Sequence, residues 1–134
     1  MSFKSMYFHS LDAKNRLFIP VKFREELGEN FILFKGAENC IYGYTLEEFE
    51  VISEQFKNGK SREVQRAFFS QIIEASVDKQ GRVTLPADCV EYAGLTKEAV
   101  ILGAGRRIEI WALENYNNTS KNLFDLIDAD EYVW

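Results

Sequence analysis

The amino-acid sequence predicts an α+β fold, mainly β, in which two pseudo-symmetric halves form one domain. The first observation is an internal repeat: residues 10–20 (SLDAKNRLFIP) recur as residues 76–86 (SVDKQGRVTLP), at a constant offset of 66 residues. The second is that short apolar stretches alternate with turn residues in the same order in both copies. The third is size, because a half of about 45 residues is too small to bury a core alone. We therefore expect the halves to share one core, with their turns related by a pseudo-twofold axis.

Each copy predicts the same order of elements: strand, tight turn, strand, short helix, strand, turn and strand. Asn15 and Gly81 occupy matching positions in the tight turns, and both residue types tolerate a positive φ. In both copies a proline then favours a helix start, and a glycine eight residues later favours its end. The expected helices are residues 21–27 and 87–93, and the expected strands are residues 7–11, 17–19, 31–34, 40–44, 75–77, 83–85, 99–102 and 107–111.

Two helices are predicted between the repeats. Thr45, followed three residues later by Glu48, forms a capping box, and Ser61 can cap a second helix. Apolar residues follow at helical spacing, namely Leu46, Phe49, Ile52 and Phe56, and then Val64, Phe68 and Ile72. After Trp111 the chain is only weakly periodic, which predicts a marginal helix or a disordered tail. The expected organisation is a first repeat over residues 5–50, a helical linker over 51–74, a second repeat over 75–116 and an acidic tail over 117–134.

The net charge of −5 is unevenly distributed along the chain. Residues 1–24 contain five Lys or Arg and one Asp, a net charge of +4, whereas residues 114–134 contain one Lys and five acidic residues, a net charge of −4. Binding depends on the local field rather than on the sum of charges. A basic face can therefore coexist with an acidic tail, and the acidic total does not exclude nucleic acid as a partner.

The pattern Asp-x-x-x-Arg within each tight turn is the main candidate for function. Asp12 and Arg16 flank the first turn, and Asp78 and Arg82 flank the second. One interpretation is an ion pair that closes the turn, worth about 0–1 kcal/mol if it is exposed. The other is a DNA contact, in which Asp fixes the turn while Arg and a neighbouring Lys reach a phosphate or a guanine. Two copies of the same charged turn favour DNA contact, because a repeated group suits a repeating partner.

No set of residues in the sequence predicts a catalytic or metal site. We interpret His9, the single histidine, as a strand residue, and no nucleophile–base pair has a supporting spacing. Cys40 and Cys89 lie in apolar contexts without CxxC spacing and are expected to be buried thiols in a reducing cytoplasm. The segment GAGRR at residues 103–107 leads into a predicted strand, not into the helix N-terminus that a phosphate loop needs. We expect no enzymatic activity, cofactor, metal, small-molecule substrate or membrane span.

The residues that form the repeat resemble the MraZ family, whose two AbrB-type halves each contain an Asp-x-x-x-Arg motif. The resemblance covers residues 5–116 and is carried by four stretches: SLDAKNR (10–16), IPVKFREELG (19–28), DKQGR (78–82) and RIEIW (107–111). Two positions depart from the family pattern, with Asn15 where Gly is usual and Phe49 where Trp is common. The resemblance implies two swapped-hairpin, AbrB-like halves that form one small β-barrel-like domain with short helices.

The resemblance also implies a function: a cytoplasmic, nucleoid-associated transcriptional regulator that binds DNA sequence-specifically. It implies binding to direct repeats in the promoter of the cell-division and cell-wall gene cluster, including the promoter of its own gene, and assembly into ring-like homo-oligomers. Carried onto this sequence, the DNA contacts are Arg16 and Arg82, with Lys14 and Lys79 assisting, and the supporting turn residues are Asp12 and Asp78. We add Asn15 and Gln80 of the same turns as candidates for DNA contact. Three bases of the positively charged N-terminal segment are further candidates for contact with the DNA backbone: Lys4, Lys22 and Arg24. The alternative is a protein-interaction or antitoxin-like scaffold module of the AbrB type, which would keep its main activity without Arg16 and Arg82.

Overall fold

The computed structural model describes residues 2–59 and 61–134, and in it a six-stranded sheet and a two-stranded sheet join the two repeats. The elements in chain order are β1 (Met6–Ser10), β2 (Arg16–Phe18), α1 (Val21–Leu27), β3 (Asn30–Lys35), β4 (Ile41–Thr45), α2 (Leu46–Lys57), α3 (Arg62–Phe69), β5 (Ile73–Ser76), β6 (Arg82–Thr84), α4 (Ala87–Tyr92), β7 (Glu98–Gly103), β8 (Ile108–Ala112), α5 (Leu113–Thr119) and α6 (Leu123–Leu126). The α+β class and the order of elements within each repeat are thus confirmed.

The helices of the linker begin as the sequence predicts. The Thr45 hydroxyl accepts the backbone N–H of Glu48 at 3.0 Å, and the Ser61 hydroxyl accepts the backbone N–H of Val64 at 3.2 Å. Both caps satisfy donors that would otherwise be unpaired at a helix N-terminus. The C-terminal region is more regular than expected, because α5 follows β8 directly and α6 comes after it.

Strands are exchanged between the two halves. The first-half strand β1 pairs antiparallel with β7, the second-half strand β5 pairs antiparallel with β3, and β2 pairs with β6. The swapped arrangement is confirmed, and the strands on either side of each tight turn pair with the other half rather than with each other. The strand order of the larger sheet is β1-β7-β8-β4-β3-β5, so β1 and β5 are its edges. Closure into a barrel-like sheet is therefore not confirmed for the described residues.

One core is shared by both halves, as their small size requires. Its fully buried side chains come from both repeats and include Leu17, Ile19, Phe23, Phe31, Leu33 and Ile41 from the first, and Val83, Leu85, Ile101, Ile108 and Ile110 from the second. A smaller cluster forms where α2 and α3 cover the other face of the sheet. There Phe49 stacks on Phe68 at 5.6 Å between ring centroids.

Candidate nucleic-acid interface

The first tight turn is closed by the side chain of Asp12. Its Oδ1 accepts the backbone N–H groups of Lys14 and Arg16, each at 2.9 Å, and its Oδ2 accepts the Nε–H of Arg16 at 2.7 Å. Asp suits this position because its short side chain reaches backbone donors two and four residues further on. Asn15 adopts a φ of 61°, the left-handed conformation for which its residue type is suited.

The second tight turn repeats the first bond for bond. Oδ1 of Asp78 accepts the backbone N–H groups of Gln80 and Arg82, each at 2.9 Å, and its Oδ2 accepts the Nε–H of Arg82 at 3.0 Å. Gly81 takes the left-handed position with a φ of 80°. Two different sequences, DAKNR and DKQGR, thus build the same backbone device.

Both aspartates are held in their charged form. Hydrogen bonding from the backbone N–H of Arg16 is the main cause that lowers the pKa of Asp12, and that from Arg82 is the main cause for Asp78; partial desolvation opposes each shift. Hydrogen bonds to a carboxylate favour ionisation. At neutral pH each carboxylate is therefore a fixed acceptor that organises its turn.

The two turns lie side by side because β2 pairs with β6. Leu17 is directly opposite Val83 in this pairing, and these are equivalent positions of the repeat. A local twofold axis therefore passes between them, as the repeat predicts. Nη1 of Arg82 lies 3.9 Å from Oδ2 of Asp12, so charged groups of the two turns approach each other across the axis.

Each turn is also tied to the opposite half by a backbone hydrogen bond. The carbonyl of Asn15 accepts the N–H of Leu85 at 2.8 Å, and the carbonyl of Gly81 accepts the N–H of Ile19 at 2.9 Å. The two hydrogen bonds join equivalent positions of the repeat, so the same local twofold axis relates one to the other. Neither turn is a free loop, and the pair forms one pre-organised surface.

The predicted contact residues differ in exposure. Lys14, Lys79 and Gln80 are exposed at the tips of the turns. The side chains of Arg16 and Arg82 are 30% and 28% exposed and fold back along their own turns, where Nε is bonded to the aspartate. Both arginines therefore project less than their position in the turn predicts, and a ligand would reach them through the terminal Nη groups.

The three candidates for backbone contact lie in two places. The Nε–H of Arg24 donates to the carbonyl of Ile19 at 2.8 Å, and its guanidinium lies against Gly81 of the second turn. Lys4 and Lys22 instead line a groove together with Phe3, Phe23 and Glu25, and no residue of either turn lines that groove. The structure therefore brings Arg24, but not the two lysines, to a turn.

Arg107 is engaged within the protein. Its guanidinium lies 4.0 Å from the centre of the Tyr42 ring and pairs with Glu109 through both Nε and Nη2, at 2.9 and 2.7 Å. The segment that contains it continues into strand β8, as predicted, and not into a helix. Its neighbour Arg106 is 84% exposed.

The remaining chemistry of the described residues is limited. Cys40 and Cys89 are buried free thiols, and burial raises the pKa of Cys40 to about 12. Within residues 2–59 and 61–134, no group of three or more His, Cys, Asp or Glu side chains is arranged to hold a metal ion. No helix in the same ranges is long and apolar enough to cross a membrane.

Comparison with known proteins identifies the family. The family model described as "MraZ protein, putative antitoxin-like" matches twice, over residues 3–71 and 68–132. A protein of Clostridium acetobutylicum named transcriptional regulator MraZ is 46% identical over 125 residues, which cover 90% of this chain and 88% of that protein. The proteins of the same name from Carboxydothermus hydrogenoformans and Caldicellulosiruptor bescii are 48% and 47% identical, covering 87% of this chain and 85% and 87% of theirs. The chain therefore belongs to the MraZ family.

Proposed function

We propose that this chain is a sequence-specific DNA-binding transcriptional regulator that contacts DNA through its two tight turns. The observation that carries the proposal is the side-by-side placement of two identically bonded turns, each with an exposed lysine and an arginine. The name of the relatives, transcriptional regulator, supports the same role.

Within each turn, the aspartate is bonded to the backbone, whereas the arginine has nitrogens that can bind DNA. Asp12 and Asp78 bind backbone N–H groups and set the shape of each turn. Arg16 and Arg82 use Nε for the aspartate of their own turn, and Nη1 of Arg82 also approaches Asp12. The terminal nitrogens of Arg16 and Nη2 of Arg82 are then the groups for a phosphate oxygen or the O6 and N7 atoms of guanine.

The exposed side chains of Lys14, Lys79 and Gln80, with the half-buried Asn15, complete the surface. Lys14 and Lys79 supply positive charge for phosphate groups, and Gln80 and Asn15 can bond to base edges or to the DNA backbone. Each phosphate that is neutralised releases counterions, so binding should weaken steeply with salt. A local basic surface of this kind is compatible with the net charge of −5.

The finer features of the proposal concern targets and assembly. The repeats over residues 5–50 and 75–116 would be the DNA-contacting halves, joined by the linker over 51–74 and followed by the acidic tail over 117–134. We propose that the targets are direct repeats in the promoter of the cell-division and cell-wall gene cluster, including its own promoter, and that the site of action is the cytoplasmic nucleoid. Ring-like homo-oligomers would present many turns at fixed spacing, so weak contacts would add through effective concentration.

A binding titration tests the proposal directly. The DNA upstream of the chain's own gene is compared with a scrambled duplex at about 50 mM and about 200 mM salt. The variant Arg16→Ala with Arg82→Ala should lose selective binding, whereas the control Arg62→Ala with Lys121→Ala, which removes the same charge at exposed positions outside the turns, should keep it. Circular dichroism and sedimentation check that both variants remain folded and assembled. Equal binding by the turn variant and the wild type would contradict the proposal and favour the protein-interaction alternative.

A further inference from the structure

The two turns differ in the residue that supports them. Arg24 on α1 and Val90 on α4 are equivalent positions of the repeat, so one half has a cation where the other has an apolar side chain. The guanidinium of Arg24 lies against the second turn: a Cβ built on Gly81 would come within 2.7 Å of its Cζ and Nη1. Although Arg24 belongs to the first half in sequence, its positive charge lies beside the turn of the second half.

Two further contacts hold Arg24 in this position. Its Nε–H donates to the carbonyl of Ile19 at 2.8 Å, and its Cζ lies 5.0 Å from the centre of the Phe18 ring. A guanidinium over an aromatic face is an attractive arrangement. The side chain is therefore oriented by the protein before any ligand binds, which reduces the entropy lost on binding.

Arg24 adds one positive charge beside the second turn to the charges of the residues within the turns. The first turn has Lys14 and Arg16 against Asp12, a net charge of +1. The second has the same balance from Lys79, Arg82 and Asp78, and Arg24 raises it to +2. Arg82 of the second turn also approaches Asp12 of the first, which partly offsets the charge that Arg24 adds. The offset is weak, because 3.9 Å is a long ion-pair distance and both side chains are about one third exposed.

We propose that Arg24 is an additional phosphate contact at the second turn, one that Val90 cannot supply at the first. The inference rests on the proposed function. The turns already differ in sequence, DAKNR against DKQGR. Arg24 adds a further difference between them and so contributes to the direction in which the protein lies on DNA.

Neutralising Arg24 tests the proposed contact. Arg24→Gln should weaken binding to the selectively bound duplex about 8-fold at about 0.1 M salt. The negative slope of log K against log salt should become less steep by about 0.9, the effect of losing one phosphate contact. The matched control Lys121→Gln, at an exposed lysine outside both turns, should change neither quantity. Arg24→Lys keeps the charge but loses the planar group, so it should keep the wild-type slope.

The outcomes separate the inference from the proposed function. If the wild type binds selectively and Arg24→Gln leaves affinity and slope unchanged, the inference is overturned while the proposed function stands. If Arg24→Lys loses the slope as fully as Arg24→Gln, the role of Arg24 is structural and the inference again fails. If the wild type shows no selective binding and double loss of Arg16 and Arg82 has no effect, the proposed function fails as well.

The predicted direction can be measured by affinity cleavage. Ala13 is exposed at the first turn, and Ala13→Cys can carry an iron chelate, because Cys40 and Cys89 are buried and poorly reactive. On the shortest duplex that is bound selectively, strand cleavage should fall at one end of the site. Arg24→Gln should make the cleavage at the two ends more equal, and a cleavage pattern that this substitution leaves unchanged would contradict a contribution of Arg24 to the direction.

Discussion

Replacing Gly81 by alanine tests the contact between the second turn and Arg24 through its effect on the free energy of unfolding. Gly81 has a φ of 80°, and an added Cβ would come within 2.7 Å of the guanidinium. The substitution therefore strains the backbone and displaces Arg24 at the same time. A double-mutant cycle with Arg24→Ala separates the two effects.

The magnitude follows from the groups involved. A non-glycine residue in the left-handed region costs about 1–2 kcal/mol. Displacing Arg24 breaks its bond to the carbonyl of Ile19, worth about 1.5 kcal/mol for a charged donor, and its contact with the Phe18 ring, worth about 0.5 kcal/mol. Gly81→Ala should therefore cost about 3–4 kcal/mol in the wild type but only about 1–2 kcal/mol in the Arg24→Ala background.

The assay is urea unfolding of the four proteins of the cycle at one fixed protein concentration, because assembly would otherwise change the apparent stability. Gly94→Ala is the control: Gly94 has a φ of 64° but open space around its missing Cβ. Its cost should be about 1–2 kcal/mol in either background. A coupling energy near zero between Gly81→Ala and Arg24→Ala would refute the reasoning that an added Cβ displaces Arg24 from the Ile19 carbonyl and the Phe18 ring.

Three further predictions concern the core, the turns and the thiols. Leu17 is fully buried on the local twofold axis, so Leu17→Ala should lower the free energy of unfolding by about 3 kcal/mol, whereas Phe8→Ala, at a side chain 56% exposed, should cost less than about 1 kcal/mol. Folding lowers the pKa values of Asp12 and Asp78 from 3.8. The stability that these carboxylates contribute is therefore complete above about pH 4 and is lost as the pH falls through their lower folded pKa values. The urea midpoint should fall less between about pH 5 and about pH 3 in the double Asp→Asn variant than in the wild type. The pKa of Cys40 is raised to about 12, so its alkylation at neutral pH should be slow until the protein is unfolded by denaturant, and rapid modification of the folded protein would contradict the burial described.

Much of the fold can be predicted from the sequence because the repeat contains local signals of turn and cap. Pro20 and Pro86 lie directly before α1 and α4, and Asn15 and Gly81 take the two left-handed positions. These signals depend on the backbone preferences of single residues, which sequence displays directly. Shared burial follows from the size of the halves, although it does not specify which strands pair.

The pairing itself could not be predicted from strand pattern alone. The turn between β1 and β2 has the local appearance of a hairpin, yet β1 pairs with β7 and β2 with β6. Tertiary contacts between distant segments decide this, and periodicity does not encode them. The barrel-like expectation came from the resemblance and not from any residue pattern. The sequence therefore contains no signal that β1 and β5 are open edges of the sheet.

The candidate site shows a similar division between local and distant information. The role of each aspartate in its turn could be predicted, because both partners lie within four residues. The position of Arg24 could not, because its guanidinium meets Gly81, which is 57 residues away in sequence. The one available signal was the difference between Arg24 and Val90 at equivalent positions of an otherwise regular repeat.

Lysine acetylation footprinting with and without promoter DNA tests the central claim most directly, because it reports which surface DNA covers. Lys14 and Lys79 are exposed at the two turns, and Lys121 is exposed within the acidic tail. The account predicts that the upstream duplex slows acetylation of Lys14 and Lys79 together and leaves Lys121 unchanged. Unchanged acetylation of both turn lysines under conditions of selective binding would show that DNA lies elsewhere and would contradict the account.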